Sequence, residues 1–90
     1  MKHAGPDALE RLEPLLARLR AFPQLREKSR GVFYLRSKAF LHFHEDAAGL
    51  FADVRAPDGK DFDRLHIDEA SGRRTLLERV ARTLAPASRR

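Results

Sequence analysis

From Asp7 onward the apolar residues fall at Leu9, Leu12, Leu15, Leu16, Leu19 and Phe22, a spacing that keeps them on one side of a 3.6-residue helix. The pattern predicts a helix with Asp7 as its N-cap, since a carboxylate there accepts an unpaired first-turn N–H. Pro14 lacks a backbone donor and crowds the carbonyl four residues earlier, so a bend or a late start is expected there, and Pro23 closes the element. Residues 24–30 are polar without a convincing period and read as a loop. After Gly31 the pattern changes. Val32 to Arg36, Ala39 to His44, Leu50 to Arg55 and Asp61 to Ile67 are short runs rich in aromatic and β-branched residues. Turn chemistry separates them at Ser37-Lys38, at Glu45 to Gly49 and at Pro57 to Lys60. Four strands so closely joined predict an antiparallel meander, because parallel neighbours need a long crossover. Leu76, Leu77, Val80, Ala81 and Leu84 then form a second helical stripe, capped by Asp68 or Ser71 and ended by Pro86.

Register follows from grouping the apolar residues. With four-residue loops at 45–48 and 57–60, Phe43 faces Leu50, Leu41 faces Ala52, and Ala39 faces Val54. On the next pair Leu50 faces Ile67 and Ala52 faces Leu65. Directly opposed residues share a face, so all of these lie on one side, with Val54 opposite Asp63 as the single flaw. The first strand is open: an odd-length turn puts Phe33 and Leu35 inward and Tyr34 outward, and a two-residue turn at Ser37-Lys38 reverses this. Two amphipathic helices need one apolar sheet face to cover. The expected fold is α+β, a two-layer sandwich of helix, four-stranded antiparallel meander and helix, with both helices on one sheet face. Residues 1–90 read as a single domain with 1–6 and 86–90 frayed.

The opposite face is the informative one. It carries His42, Phe51 and His66 in one row, Phe40, Asp53 and Arg64 in the next, and Arg55 with Phe62 in a third, and His44 follows two residues after His42. An uncovered face is ordinarily Thr, Ser, Lys and Glu. Aromatic rings, histidines and an opposed acid–base pair resemble a contact surface instead. Phe40, His42, His44, Phe51, Asp53, Arg55, Phe62, Arg64 and His66 are therefore the candidate binding residues. His42 and His44 are also weak metal candidates, since residues two apart on a strand point the same way roughly 6–7 Å apart. Glu45, Asp46 and Asp68 are possible oxygen donors, His66 sits too far from His42 to join easily, and no third ligand is evident, so no metal or cofactor is implied.

Charge refines this picture. The chain has 18 Lys and Arg against 13 Asp and Glu, a net +5, with a pI near 10.4. Residues 1–30 carry seven basic against four acidic side chains, residues 31–69 five against eight, and residues 70–90 six against one. The strand region is thus acidic and the basic excess sits in the two ends. Base stacking on sheet aromatics needs surrounding positive charge, which this disfavours. A nucleic-acid reading rests on the last helix instead, through Arg73, Arg74, Arg79 and Arg82. No G-x-S-x-G, P-loop or G-x-G-x-x-G is present, and zero cysteines exclude a disulfide framework and a thiolate nucleophile. No apolar run is long enough to span a membrane, and no signal peptide is recognisable, so a cytoplasmic location and no membrane partner are expected.

The stretch Gly31 to Asp46, followed by Gly49 to Arg55, resembles a segment of small uncharacterised bacterial α+β proteins. Its Leu41-His42-Phe43-His44 strand is similar to one in the bacterial luciferase-like domain of unknown function. This covers about the middle third of the chain; it implies the α+β fold class, draws attention to His42 and His44, and brings no catalytic activity with it. The expected function is a non-catalytic binding or interaction domain that forms a homodimer, or binds a protein or small ligand, through the aromatic–histidine face. The alternatives are nucleic-acid binding by the Arg-rich final helix and a small hydrolase-like or metal-binding enzyme using His42, His44 and His66.

Overall fold

Leu12, Leu15, Leu16 and Leu19 stand at i, i+3, i+4 and i+7 and are all buried along one side of helix α1 (Pro6–Arg20). The structure, a computed structural model, describes residues 2–85. Its elements are β1 (Lys2–His3), α1, β2 (Leu25–Ser29), β3 (Val32–Leu35), β4 (Lys38–Asp46), β5 (Gly49–Arg55), β6 (Phe62–His66) and α2 (Ala70–Leu84). The fold is α+β with an antiparallel sheet. The strands run in the order β2-β3-β4-β5-β6, and β1 pairs with β4 off this path. Leu76 and Val80 of α2, Leu12, Leu15, Leu16 and Leu19 of α1, and Phe33, Leu41, Phe43, Leu50, Ala52, Val54 and Ile67 form one buried cluster.

The sheet is larger than the four strands expected. Residues 24–30, read as a loop, contain β2, in which half-buried Leu25 and Glu27 alternate with exposed Arg26 and Lys28. The alternation is that of an edge strand, disguised because only one of its inward residues is apolar. The amino-terminal residues expected to fray instead form β1, with Lys2 opposite Glu45 and His3 opposite His44. The Ala4 N–H continues the pairing to the Phe43 carbonyl at 3.0 Å. Residues 86–90, also expected to fray, lie outside the described residues.

Local chemistry explains three further differences. Helix α1 begins from Gly5 rather than Asp7, with Pro6 in the first helical turn, where its missing N–H costs nothing. A carboxylate from another element serves there, Glu45 Oε2 accepting the Gly5 N–H at 2.6 Å. The helix runs unbroken through Pro14, which is exposed, so the carbonyl it leaves unpaired can face water while the flanking leucines hold the core. Neither Asp68 nor Ser71 caps α2; Glu69 occupies that position without a side-chain cap bond, and Asp68 accepts the Leu50 N–H instead.

Two tight turns set the register. Arg36 and Ser37 (φ 52° and 74°) form a two-residue turn between Leu35 and Lys38, the left-handed geometry that matches strand twist. A bulge follows: Phe33 opposes Leu41 while Tyr34 opposes Ala39, leaving Phe40 as the extra residue. The inserted residue restores Phe33 to the core, the side an odd-length turn would give. Between β4 and β5 the turn is Ala47-Ala48 rather than residues 45–48, stabilised by the Ala48 N–H donating to Asp46 Oδ1 at 2.8 Å. Phe43 therefore opposes Ala52, and Leu41 opposes Val54. The register slides by two residues, which keeps the paired side chains from Leu41 to Asp46 on their expected faces. The β5–β6 pairing is as expected, with Ala52 opposite Leu65 and Val54 opposite Asp63.

Candidate ligand-binding face and histidine cluster

The two-residue slide rearranges the rows on the sheet face opposite Leu41 and Phe43. His44, Phe51 and His66 now lie side by side, as do His42, Asp53 and Arg64, while Arg55 faces Phe62. Phe40 leaves the candidate surface: at the bulge its side chain is buried, 3 % exposed, among the core residues. His42, His44, Phe51, Arg55 and Phe62 are half-buried, and Arg64 and His66 are exposed.

Most of these groups satisfy one another. Asp53 is 6 % exposed. It accepts two hydrogen bonds from Arg64, Nε to Oδ1 at 2.8 Å and Nη2 to Oδ2 at 2.7 Å. This paired geometry is the strong form of Arg–carboxylate contact, and the Arg64 bonds hold the Asp53 carboxyl below its usual range despite burial. Arg55 donates to the Ala39 carbonyl at 2.7 Å and to the Gly59 carbonyl at 2.8 Å, with its guanidinium 4.7 Å from the Phe62 ring centre. The Phe51 and His66 rings stack at 4.7 Å and 15°. His66 Nε2 meets the Asp68 carboxylate.

The remaining histidines are different. β1 brings His3 onto this face, where its ring centre lies 4.7 Å from that of His44 and 5.8 Å from that of His42. His42 and His44 are 4.9 Å apart and edge to face. One nitrogen from each of the three lies within 4.8 Å of the others, the one such group of metal-ligand type among the described residues. Nδ1 of His42 and Nδ1 of His44 are buried without a hydrogen-bond partner. His44 Nδ1 is 3.2 Å from Asp53 Oδ2, within reach of the carboxylate but not aligned for a hydrogen bond. Burial pushes both imidazoles below their ordinary value; the neighbouring His44 adds to this for His42, and Asp53 opposes it for His44. Burial thus favours the neutral form of each ring.

The oxygen donors expected beside them are engaged elsewhere. Glu45 holds the Gly5 N–H, Asp46 the Ala48 N–H, and Asp68 the Leu50 N–H. His66 belongs to the adjacent Phe51 stack and not to the cluster. Sequence reasoning missed His3 because a two-residue strand has no period to read. The signal available was its chemistry: it is one of only four histidines in the chain.

A groove of about 700 Å³ between α1 and α2 is lined in part by Arg18, Arg73, Arg74 and Leu77. Two of the four arginines proposed for phosphate contact are committed within the fold. Arg73 donates to the Ile67 carbonyl at 2.9 Å and Arg79 to Asp63 at 2.5 Å; Arg74 and Arg82 are exposed. Among the described residues no helix is long and apolar enough to cross a membrane. No protein-family model, curated protein or solved structure matches the chain.

Proposed function

We propose that this protein is a small non-catalytic binding domain whose working surface is the sheet face away from the helices, with His3, His42 and His44 at its centre. One observation carries this reading: two imidazole nitrogens are buried unpartnered on a face whose carboxylate and guanidinium groups are otherwise paired. A buried polar atom left without a partner costs about 1–3 kcal/mol, so a ligand that satisfies these atoms gains directly. The rows of this face hold no serine, threonine, lysine or cysteine beside the histidines, which favours binding over nucleophilic chemistry.

A second copy of the chain is a further partner for the same surface. It is supported by the Phe51–His66 stack and the Phe62 ring, which stay partly open to solvent, and aromatic side chains of this kind are enriched at interfaces.

Native mass spectrometry of protein purified without chelator tests the reading. The wild type should carry extra mass, as a bound ligand or a second chain, and His42→Asn/His44→Asn should lose the ligand. Phe51→Arg should lose the second chain by placing an unpaired charge in the contact. A wild type found only as the bare single chain at tens of micromolar would sink the proposal.

A further inference from the structure

We propose that His3, His42 and His44 form a three-imidazole site for a divalent late first-row transition metal ion, zinc foremost, with Asp53 as the carboxylate behind His44 and a fourth position left to solvent or an outside ligand. This rests on the binding-face reading and names the ligand class of that face.

Distance is the first argument. Zinc bound tetrahedrally to nitrogen at about 2.0–2.1 Å sets its ligand atoms roughly 3.3–3.4 Å apart. Here one nitrogen from each histidine already lies within 4.8 Å of the other two. The remaining contraction, at most about 1.5 Å per pair, is within reach of small χ rotations of three rings. Two of those rings stand on β4, and the third is fixed opposite His44 by strand pairing.

Donor chemistry is the second. The cluster offers nitrogen only, and the nearby carboxylates of Glu45 and Asp46 are held by backbone N–H groups. Three imidazoles without carboxylate suit zinc or cobalt and are poor for the hard cations calcium and magnesium.

The third argument is the shell behind the ligands. A metal-bound histidine ordinarily donates its other ring N–H to a carboxylate or carbonyl, which fixes tautomer and ring orientation. Asp53 Oδ2 stands 3.2 Å from His44 Nδ1, and Arg64 locks that carboxylate in place. A small rotation of the His44 ring aligns this contact and commits Nε2 to the metal side. Simple aromatic packing of the three rings accounts for their proximity but leaves both Nδ1 atoms unpaired; a bound ion that turns the His44 ring gives its Nδ1 the Asp53 carboxylate and can take up the His42 nitrogen directly.

The test uses the full chain stripped with chelator, titrated with Zn²⁺ by calorimetry and with Co²⁺ by visible absorption. Cu²⁺ and Ni²⁺ are avoided because they also bind a histidine through neighbouring deprotonated backbone amides. One Zn²⁺ per chain and an intense Co²⁺ ligand-field spectrum of four-coordinate type are expected. His3 is exposed, so His3→Ala should fold normally by circular dichroism yet bind Zn²⁺ at least about tenfold more weakly, given that loss of an outer-shell partner alone costs 10–100-fold. His42→Asn should do the same, while Lys2→Ala, on the same short strand, should keep wild-type affinity. Folded wild type that takes up no Zn²⁺, or His3→Ala with unchanged affinity, overturns the site. If the native mass measurement still shows an adduct or second chain that the face variants lose, the metal is wrong and the binding face stands; if it shows neither, both fall.

Discussion

Arg64→Ala isolates the ion pair at the centre of the face that carries His42 and His44. Asp53 is 6 % exposed, and Arg64 supplies both of its hydrogen bonds. Without Arg64 the carboxylate keeps only the poorly aligned His44 nitrogen at 3.2 Å. Breaking a fully buried pair costs about 3–5 kcal/mol, whereas an exposed pair is worth about 0–1 kcal/mol. Here the acid is buried and the Arg64 side chain is 49 % exposed, so the pair sits between these limits. A loss of about 1.5–3 kcal/mol is expected after discounting for the solvated guanidinium. For a domain of this size that lowers Tm by roughly 6–24 °C. Urea unfolding followed by circular dichroism at neutral pH, without metal, measures it. In an Asp53→Asn background, where the buried charge is already gone, Arg64→Ala should cost less than about 0.5 kcal/mol. Equal costs in the two backgrounds, or a single-variant loss below about 0.5 kcal/mol, would refute the assignment of Arg64 as the partner that makes a buried Asp53 tolerable.

Two other perturbations follow from the same geometry. Hydrogen bonds from Arg20 and then Arg30 lower the Glu13 carboxyl from 4.5 to about 2. A folded-state value below the unfolded one gives stability that is present above about pH 4.5 and drains away as pH falls toward 2. The Tm advantage of wild type over Glu13→Gln should therefore shrink between about pH 5 and pH 2.5, and a constant difference would count against it. Gly49 has φ +131°, and a Cβ there would overlap Asp68 Oδ2. Gly49→Ala should strain the backbone and dislodge Asp68 from the Leu50 N–H, destabilising by about 1–3 kcal/mol in urea; wild-type stability would contradict that account.

The faces of the sheet were legible in the sequence, and its edges were not. Leu41, Phe43, Ala52 and Val54 fall on the core side as their alternation predicts, because a pleated strand separates its faces residue by residue. Their exact partners were not legible, since a two-residue slide preserves both faces and only the Ala47-Ala48 turn decides between registers. Alanine carries no turn signature; the deciding contact was the Asp46 side chain on the Ala48 N–H. β2 escaped notice because Glu27 stands at an inward position, half-buried, accepting the Gly31 N–H and bonds from Arg20. Its carboxyl illustrates the compromise: burial drives it upward, and the Arg20 and Gly31 hydrogen bonds together bring it net below the ordinary value. The candidate site was half readable. His42 and His44 announce themselves as alternate residues on one strand, whereas His3 reaches them by a pairing that local pattern cannot express.

That pairing gives the histidine trio a place in the order of assembly. β1 is two residues long and meets β4 across a chain separation of about 40 residues, as the Gly5–Glu45 contact shows. Closing so long a loop for so few backbone bonds is favourable only once the meander and α1 already stand, so the amino-terminal strand is expected to dock last. A chain that stops short of this step presents two imidazoles instead of three, so at the proposed site Zn²⁺ uptake would report that the last stretch of backbone has seated.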